Sequence, residues 1–212
     1  MREKKSKPMK TNRDEIMQSA LQLFMSMNYE KVSLQMITRK VGITKTGIFN
    51  YFPTKLDLFV AVADKYLFNA QNPRNKFDTS DATLSGFIEK YVEGVKRTMA
   101  EIVRLGNVDR KAMPGKSPNA GYFHLFHQVL FYYPGGKEKL HGMMANEYDI
   151  WREKISRAAD AGEINPDTDV EEAAALFRQV FVGLSYEKSF YDGLDTEQLR
   201  KRFQHIYSLL KR

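Results

Sequence analysis

Residues 33 to 59 read SLQMITRKVGITKTGIFNYFPTKLDLF, and this stretch decides the fold of the N-terminal part of the chain. Ser33 and Thr44 each precede a short stretch with helical spacing of apolar residues, which is the position of a helix N-cap. Gly42 lies between them, where a left-handed residue ends the first helix, and Pro53 stops the second. The sequence therefore predicts two short helices joined by a tight turn.

The second of these helices has two chemically different sides. At 100° per residue, Ile48 and Phe52 share one side, which predicts that both are core residues. Asn50 lies on the opposite side with Thr46 and Gly47 near it. Asparagine can pair with adenine and threonine offers a hydroxyl or a methyl group, so this side suits contacts with base edges in a DNA major groove. The flanks of the helix carry Lys45, Phe49 and Tyr51.

Two lysines in this stretch begin helices. Lys45 follows Thr44, and Lys55 follows the predicted cap Thr54. A cation is unfavourable at a helix N-terminus by roughly 0.3 to 1 kcal/mol, so these positions favour an anion from outside, such as a DNA phosphate. Ordinary surface lysines are the alternative interpretation of each position alone.

The net charge is unevenly distributed along the 212 residues. Residues 1–60 hold 11 Lys and Arg against 5 Asp and Glu, whereas the rest hold 22 against 21. A basic N-terminal part on a neutral body is typical of a protein that faces a polyanion. The chain has no cysteine, which excludes disulfides and thiolate catalysis, and no long apolar run predicts a membrane span. We expect a cytoplasmic protein.

Helical spacing continues along the whole chain and predicts an all-α fold. A first helix should begin at the cap Thr11 and end near Asn28, and a fourth should run from Thr54 to about residue 70. A polar connection over 72–81 follows, then helices over 84–102, 122–133 and 137–161, with a break over 106–121. Thr168 with Glu171, and Asp195 with Gln198, should cap the last two helices. We place a helix-turn-helix domain at 9–56 and a larger regulatory and dimerisation domain at 57–212.

The quoted stretch resembles the DNA-binding region of TetR-type (tetracycline-repressor-like) transcriptional regulators. The helix lengths, the turn with glycine, an apolar residue and a hydroxyl residue, the aromatic run and the Phe-x-x-Lys exit all agree, over about residues 9–60. Two positions depart from the family pattern. Phe49 stands where tyrosine is usual, and Thr46 and Gly47 stand in the reverse of the usual order.

The resemblance implies a double-stranded DNA operator as partner and assigns a role to each matching position. Ser33 and Thr44 would cap helices and touch phosphate, and Gln35 and Lys45 would reach bases or phosphate. The residues facing the groove would be Thr46, Gly47 and Asn50, and those lining the DNA backbone Phe49, Tyr51 and Lys55. The loss of the usual tyrosine hydroxyl leaves Phe49 only packing contacts.

The resemblance also implies a homodimer formed by the last two helices. Apolar stripes permit this, although each could equally be core within one chain. The stripes are Ala173, Leu176, Phe177, Val180, Phe181 and Leu184 on one helix, and Leu199, Phe203, Ile206 and Leu210 on the other.

The central helices are rich in aromatic residues and methionine, which favours a pocket for an apolar or aromatic effector. Plain core is the alternative at each position, and no excess of buried charge indicates a charged ligand. The predicted ligand contacts are Tyr91, Tyr122, Phe126, Met143, Met144, Tyr148, Trp151 and Phe177.

No catalytic motif, metal centre or cofactor is indicated. His124 and His127, with His141 or Glu147, could ligate a metal in principle, but they lack a tight four-ligand pattern. The sequence therefore predicts a ligand-responsive DNA-binding regulator, a repressor released by a small apolar or aromatic effector. The alternatives are an activator of the same family, or an all-α small-molecule-binding protein or enzyme.

Overall fold

The computed structural model describes residues 12–80, 83–106, 118–191 and 193–211, and every regular element in these ranges is helical. This confirms the all-α class. A 3-10 turn (Tyr29–Lys31) follows the first helix, and a π-helical segment (Asp64–Phe68) joins the fourth to the fifth. The helices are α1 (Asn12–Ser26), α2 (Leu34–Val41), α3 (Lys45–Phe49), α4 (Lys55–Ala63), α5 (Asn69–Gln71), α6 (Pro73–Lys76), α7 (Leu84–Gly106), α8 (Pro118–Tyr132), α9 (Gly136–Asp160), α10 (Val170–Ser189) and α11 (Thr196–Leu210).

The helices α1 to α4 share one apolar core. Its fully buried members lie on the sides that helical spacing predicted, and include Ile16, Ala20, Phe24, Ile37 and Ile48. Leu23 and Met27 are partly buried at its edge. The predicted cap Thr11 lies outside the described residues, and α1 ends at Ser26 rather than near Asn28.

The fourth helix begins at a capping box. Thr54 N donates to Asp57 Oδ2 over 2.9 Å, and Asp57 N donates to Thr54 Oγ1 over 3.1 Å, as the sequence predicts. The helical path then runs through the π segment, in which Asn69 N donates to Asp64 O, and ends at Gln71. The predicted end near residue 70 is thus confirmed, while the π geometry was not predicted.

The predicted polar connection over 72–81 was wrong for its first half. Asn72 caps α6, since its side chain accepts from Arg74 N at 3.0 Å. Pro73 occupies the first helical position, where a backbone N–H would have no partner within the helix, so proline loses no hydrogen bond there. Lys76 and Phe77 are buried, and the Phe77 ring stacks on Tyr91 with 4.2 Å between ring centroids. This segment is therefore part of the apolar core of the C-terminal part of the chain, which we call the body, rather than a surface linker.

A second core holds α7, α9, α10 and α11 together. The Trp151 and Phe177 rings stack at 4.4 Å, and the Phe203 ring meets both edge to face. Most of the predicted stripes on the last two helices belong to this core, because Ala173, Phe177, Leu199, Phe203 and Ile206 are buried within the chain. Leu176 is exposed, and Val180, Phe181, Leu184 and Leu210 are partly buried.

Several helix starts differ from the sequence prediction. Helix α8 begins at Pro118, four residues before the predicted start. Asp169, rather than Thr168, caps α10 by accepting from Glu172 N at 3.0 Å. Asp195 caps α11 as predicted but accepts from Glu197 N, so Gln198 takes no part in the cap. An aspartate close to two backbone amides can cap at either spacing, which sequence alone does not distinguish.

The N-terminal core continues into the body. Ile102 of α7, Tyr122, Leu125 and Val129 of α8, and Leu140 of α9 belong to the same buried cluster as Phe24 and Ile48. Helix α8 therefore packs on the first helices directly. Over the described part of the chain, we find no helix with the length and apolarity needed to cross a membrane.

Candidate DNA-binding surface and ligand cavity

The turn between α2 and α3 has the geometry that its residues predict. Gly42 adopts φ 78° and ψ 29°, in the left-handed region, and its N–H donates to Thr38 O over 2.8 Å. Ser33 Oγ accepts from Met36 N at 3.2 Å, and Thr44 Oγ1 accepts from Gly47 N at 3.0 Å. Both predicted caps are therefore present, and the two helices form a helix-turn-helix.

The two sides of α3 separate as expected. Ile48 is fully buried and Phe52, just after the helix, is 2% exposed, which confirms both as core residues. In contrast, Phe49 is 40% exposed and Tyr51 37% exposed, although both are large aromatic residues. Asn50 is exposed between them. An apolar side chain left in solvent costs free energy unless a partner covers it, so this outer side is suited to contact another molecule.

The residues predicted to contact DNA form one surface segment between residues 33 and 55. Eight of them are exposed, and Gly47 and Lys55 are partly buried. The exposed ones are Ser33, Gln35, Thr44, Lys45, Thr46, Phe49, Asn50 and Tyr51. Their contacts with DNA stay a prediction.

Lys55 has a structural role that the sequence did not reveal. Its Nζ donates to Tyr29 O at 2.9 Å and to Val32 O at 3.0 Å, and it lies 4.1 Å from the centroid of the Tyr29 ring. Partial burial lowers the pKa of this ammonium. Lys55 thus ties the start of α4 to the segment between α1 and α2, and the capping box beside it already occupies the amides of Thr54 and Asp57.

A cavity of about 660 Å³ lies in the body of the chain, between α6, α7, α8, α9 and α10. Four of the predicted ligand contacts line it: Tyr122, Phe126, Met143 and Met144. The structure does not bring the other four to the lining. Tyr91, Trp151 and Phe177 are fully buried in the second core, where their rings pack on one another, and Tyr148 packs against its edge.

The N-terminal part of this architecture matches a known family model. Residues 16–62 match the family model described as bacterial regulatory proteins, tetR family. The matched stretch contains the helix-turn-helix of α2 and α3, so the chain resembles this family in its N-terminal part. A relative among characterised proteins, the HTH-type transcriptional regulator SrpR of Pseudomonas putida, is 25% identical over 181 residues, which cover 82% of this chain and 74% of SrpR.

Solved structures of TetR-family regulators share the fold of this chain over almost its whole length. One from Agrobacterium tumefaciens has a TM-score of 0.67 at 15% identity, and covers 95% of this chain and 98% of its own. PfmR from Thermus thermophilus has a TM-score of 0.66 at 15% identity, with 93% and 99% covered. The regulator CifR, solved with a 26 bp operator DNA, has a TM-score of 0.55 at 24% identity, with 97% and 100% covered.

One end of the cavity is charged, although the sequence showed no excess of buried charge that would indicate a charged ligand. Lys76, Glu147 and Arg178 all line the cavity, and their side chains are 2%, 7% and 6% exposed. Glu147 Oε1 accepts from Tyr91 Oη at 2.5 Å and from Arg178 Nη1 at 2.8 Å. Lys76 Nζ lies 4.0 Å from the same oxygen.

These three residues were not predicted as cavity residues, and the reason is physical. Glu147 occupies an inward position between Met143 and Trp151. A charged residue within an apolar stripe was therefore the one signal in the sequence that could have identified it. Arg178 and Lys76 have no such signal, because Arg178 follows Phe177 directly and Lys76 stands in a polar segment. Other lining residues that were not predicted include Gln71, Met99, Phe123, Phe181, Ser185 and Tyr186.

The histidines do not form a metal centre with acidic neighbours in the described residues, where no group of three or more His, Asp or Glu side chains could hold a metal ion. His127 and His141 line the cavity and are exposed, while His124 is partly buried.

The Lys76 ammonium gives the stability of the protein a defined dependence on pH. Burial lowers its pKa from 10.5 to about 8, the Glu147 carboxylate opposing this shift and the Arg178 guanidinium adding to it. Between these two values the unfolded chain holds a proton that the folded chain has lost, so stability rises with pH across the window. We expect the free energy of unfolding of the wild type, relative to Lys76→Met, to rise by about 2 to 3 kcal/mol from pH 7.5 to pH 10 in urea titrations. A difference that stays constant with pH would contradict this assignment.

Proposed function

We propose that this chain is a homodimeric repressor of the TetR family, which binds a double-stranded DNA operator through the outer side of α3. In this proposal, a small and mainly apolar effector enters the cavity and releases the protein from DNA. The effector binds one arrangement of the dimer more tightly than the other. The free energy of operator binding is weakened by the difference between the effector's binding free energies for the two arrangements. The operator complex of CifR, a protein of the same fold, supports DNA as the partner.

The observation that carries the proposal is the double role of α8. One side of this helix lines the cavity through Tyr122, Phe126 and Leu130. Its other contacts support the DNA-binding part: Gln128 Nε2 donates to Phe24 O of α1 at 2.6 Å, and Tyr122 Oη donates to Tyr66 O at 3.0 Å. Because a ligand that moves α8 also moves these supports, occupancy of the cavity can change the position of α3.

The DNA contacts can be tested with two variants of exposed residues. Asn50→Ala should weaken binding to the operator by about 1 to 3 kcal/mol and relax its sequence preference, because a bidentate base contact is lost. Lys45→Ala should weaken binding to all DNA and lower the slope of log affinity against log salt by about one. Genomic fragments selected by the wild type supply the operator, and fluorescence anisotropy measures the affinity.

The matched controls are Asn146→Ala on α9 and Lys96→Ala on α7, which replace exposed residues of the same types far from α3 in the chain. We expect both controls to bind like the wild type. Binding that is equally strong in all four variants, or that does not weaken with salt, would count against the proposed DNA-binding surface.

An exposed stripe along α10 supports the dimer. Leu176, Tyr186 and Phe190 are 43%, 45% and 65% exposed, and they follow one side of the helix with Gln179 and Gly183. A Cβ added at Gly183 would meet nothing within 4 Å, so this small residue leaves room for a second helix to approach. An apolar stripe of this length in solvent is unfavourable for a monomer.

Gly183→Glu tests this stripe. A carboxylate at the centre of an apolar helix interface loses its hydration without a partner, so we expect the variant to become monomeric at micromolar concentration. Size-exclusion chromatography with light scattering measures the mass. Gly142→Glu, at an exposed glycine of α9 that also has nothing within 4 Å of an added Cβ, should leave the mass unchanged. A monomeric wild type, or a dimeric Gly183→Glu variant, would contradict the α10 interface.

A further inference from the structure

The charged end of the cavity holds an ammonium without an adequate partner. Lys76 Nζ lies 4.7 Å, 4.8 Å and 5.7 Å from the ring centroids of Phe181, Phe77 and Tyr91, and 4.0 Å from Glu147 Oε1. In the described residues, no acceptor lies within hydrogen-bonding distance of this nitrogen. Aromatic faces stabilise a cation weakly compared with a carboxylate, so a buried lysine in this position lacks its usual acceptors.

Two further polar atoms on the same part of the wall lack partners. Arg178 uses Nη1 to contact Glu147 and Tyr91, while its Nε, although buried, has no hydrogen-bond partner in the described residues. The same holds for Ser185 Oγ, two turns further along α10. Both residues line the cavity. A buried donor without an acceptor costs about 1 to 3 kcal/mol, so such atoms indicate a group that the described residues do not supply.

The charges at this end do not balance. Lys76 and Arg178 carry two positive charges, and Glu147 carries the one negative charge among the three. Glu147 is already shared by Tyr91 and Arg178. An uncompensated charge is unfavourable where water is excluded, and one external anion would balance it.

We propose that the cavity binds an amphipathic monoanion, such as a carboxylate on an apolar chain, with its anionic group between Lys76 and Arg178. Its apolar part lies along Met99, Ile102, Phe126 and Met143, which line the rest of the cavity. Methionine side chains adapt to different shapes, so this wall suits a flexible chain. The role of such a ligand as effector rests on the proposed function, whereas the anion site itself does not.

Three probes of equal chain length test the anion site on the full chain. Decanoate, decanol and decylamine differ only in the head group, and isothermal titration calorimetry at pH 7.5 measures their affinities. We expect decanoate to bind at least about tenfold more tightly than decanol, because hydrogen bonds to charged groups are among the strongest. Equal affinities for the two, a preference for decylamine, or no saturable binding of decanoate would overturn the proposal.

Two variants assign the preference to Lys76. Lys76→Met should bind decanoate and decanol with about equal affinity, and Lys76→Arg should keep the preference for decanoate. Circular dichroism checks that each variant is folded. A preference that survives in Lys76→Met would overturn the role of this residue.

The wild type alone provides a second test, which needs no variant. The titratable and charged groups that face Lys76 are Tyr91 of α7, Glu147 of α9 and Arg178 of α10, and His127, His141, Lys137 and Glu138 also line the cavity. Burial keeps the pKa of Tyr91 well above its usual value, so this phenol stays neutral. In the protein without ligand, Lys76 loses its proton above about pH 8. The affinity for decanoate should therefore fall as the pH rises from 8 to 10, by up to about tenfold per pH unit. The affinity for decanol should stay the same over this range. A decanoate affinity independent of pH would contradict the proposal.

The regulatory role is measured separately, as release of operator DNA in fluorescence anisotropy. Release by decanoate at concentrations that fill the cavity supports the effector role. Preferential binding of decanoate without release would overturn that role, while the head-group preference would still establish the anion site. Preferential binding by a protein that binds no DNA would overturn the proposed function alone.

Discussion

Replacement of Glu147 by alanine should lower the free energy of unfolding by about 3 to 5 kcal/mol, because it removes the negative partner from a buried charge cluster. Arg178 would keep a bond to Tyr91 Oη at 3.3 Å, but Lys76 would lose its nearest carboxylate, which is 4.0 Å away. The Tyr91 hydroxyl would also lose the acceptor that it reaches at 2.5 Å. Urea denaturation followed by circular dichroism measures the loss.

The control for this variant is Asp149→Ala on the same helix. Asp149 accepts from Arg152 Nη1 at 2.6 Å, but its side chain is 67% exposed, so the ion pair is screened by water. We expect a loss of less than about 1 kcal/mol there. Similar losses in the two variants would contradict the view that the cluster around Glu147 is excluded from water.

Gly94→Ala should destabilise the protein by about 3 kcal/mol, although alanine is normally the better helix residue. A Cβ at Gly94 would lie 2.1 Å from Lys76 O and 2.7 Å from Phe77 Cδ1. The first of these atoms belongs to the backbone, so α6 would have to move away from α7. The same variant should weaken binding of decanoate more than binding of decanol, since Lys76 moves with α6.

Gly142→Ala is the matched control for this substitution. Gly142 lies within α9, and an added Cβ would meet nothing within 4 Å. We expect a gain of up to about 1 kcal/mol from the better helix propensity of alanine. Thermal and urea unfolding of the two variants should therefore change in opposite directions, and a Gly94→Ala variant as stable as the wild type would refute the close packing of α6 on α7.

The helix-turn-helix could be predicted from the sequence because its determinants are local. Gly42, the caps Ser33 and Thr44, and the inward pair of Ile48 and Phe52 act within a few residues of one another. Each could be read from helix geometry and backbone hydrogen bonding alone. The same holds for the capping box that begins α4.

The charged end of the cavity could not be predicted in this way. Lys76, Glu147 and Arg178 lie on three different helices and come together only through the packing of the body. The aromatic residues posed the opposite problem: Tyr122 and Phe126 line the cavity, whereas Trp151 and Phe177 fill the core. Helical spacing identifies the inward side of a helix but does not distinguish a wall of a cavity from solid core.

The π-helical segment Asp64–Phe68 sets the rotational phase between the two ends of the long helical path that joins the DNA-binding part to the body. A π turn contains about one residue more than an α turn and is wound less per residue, so it takes up the extra residue with little net change in the rotation of the flanking helices. Tyr66, Leu67 and Phe68 are all buried in succession here, on sides that a regular helix would separate. Deleting one residue from this segment would therefore let it close as a regular α turn with little rotation of α3, whereas the same deletion within α4 would turn the outer side of α3 by about 100° about the helix axis.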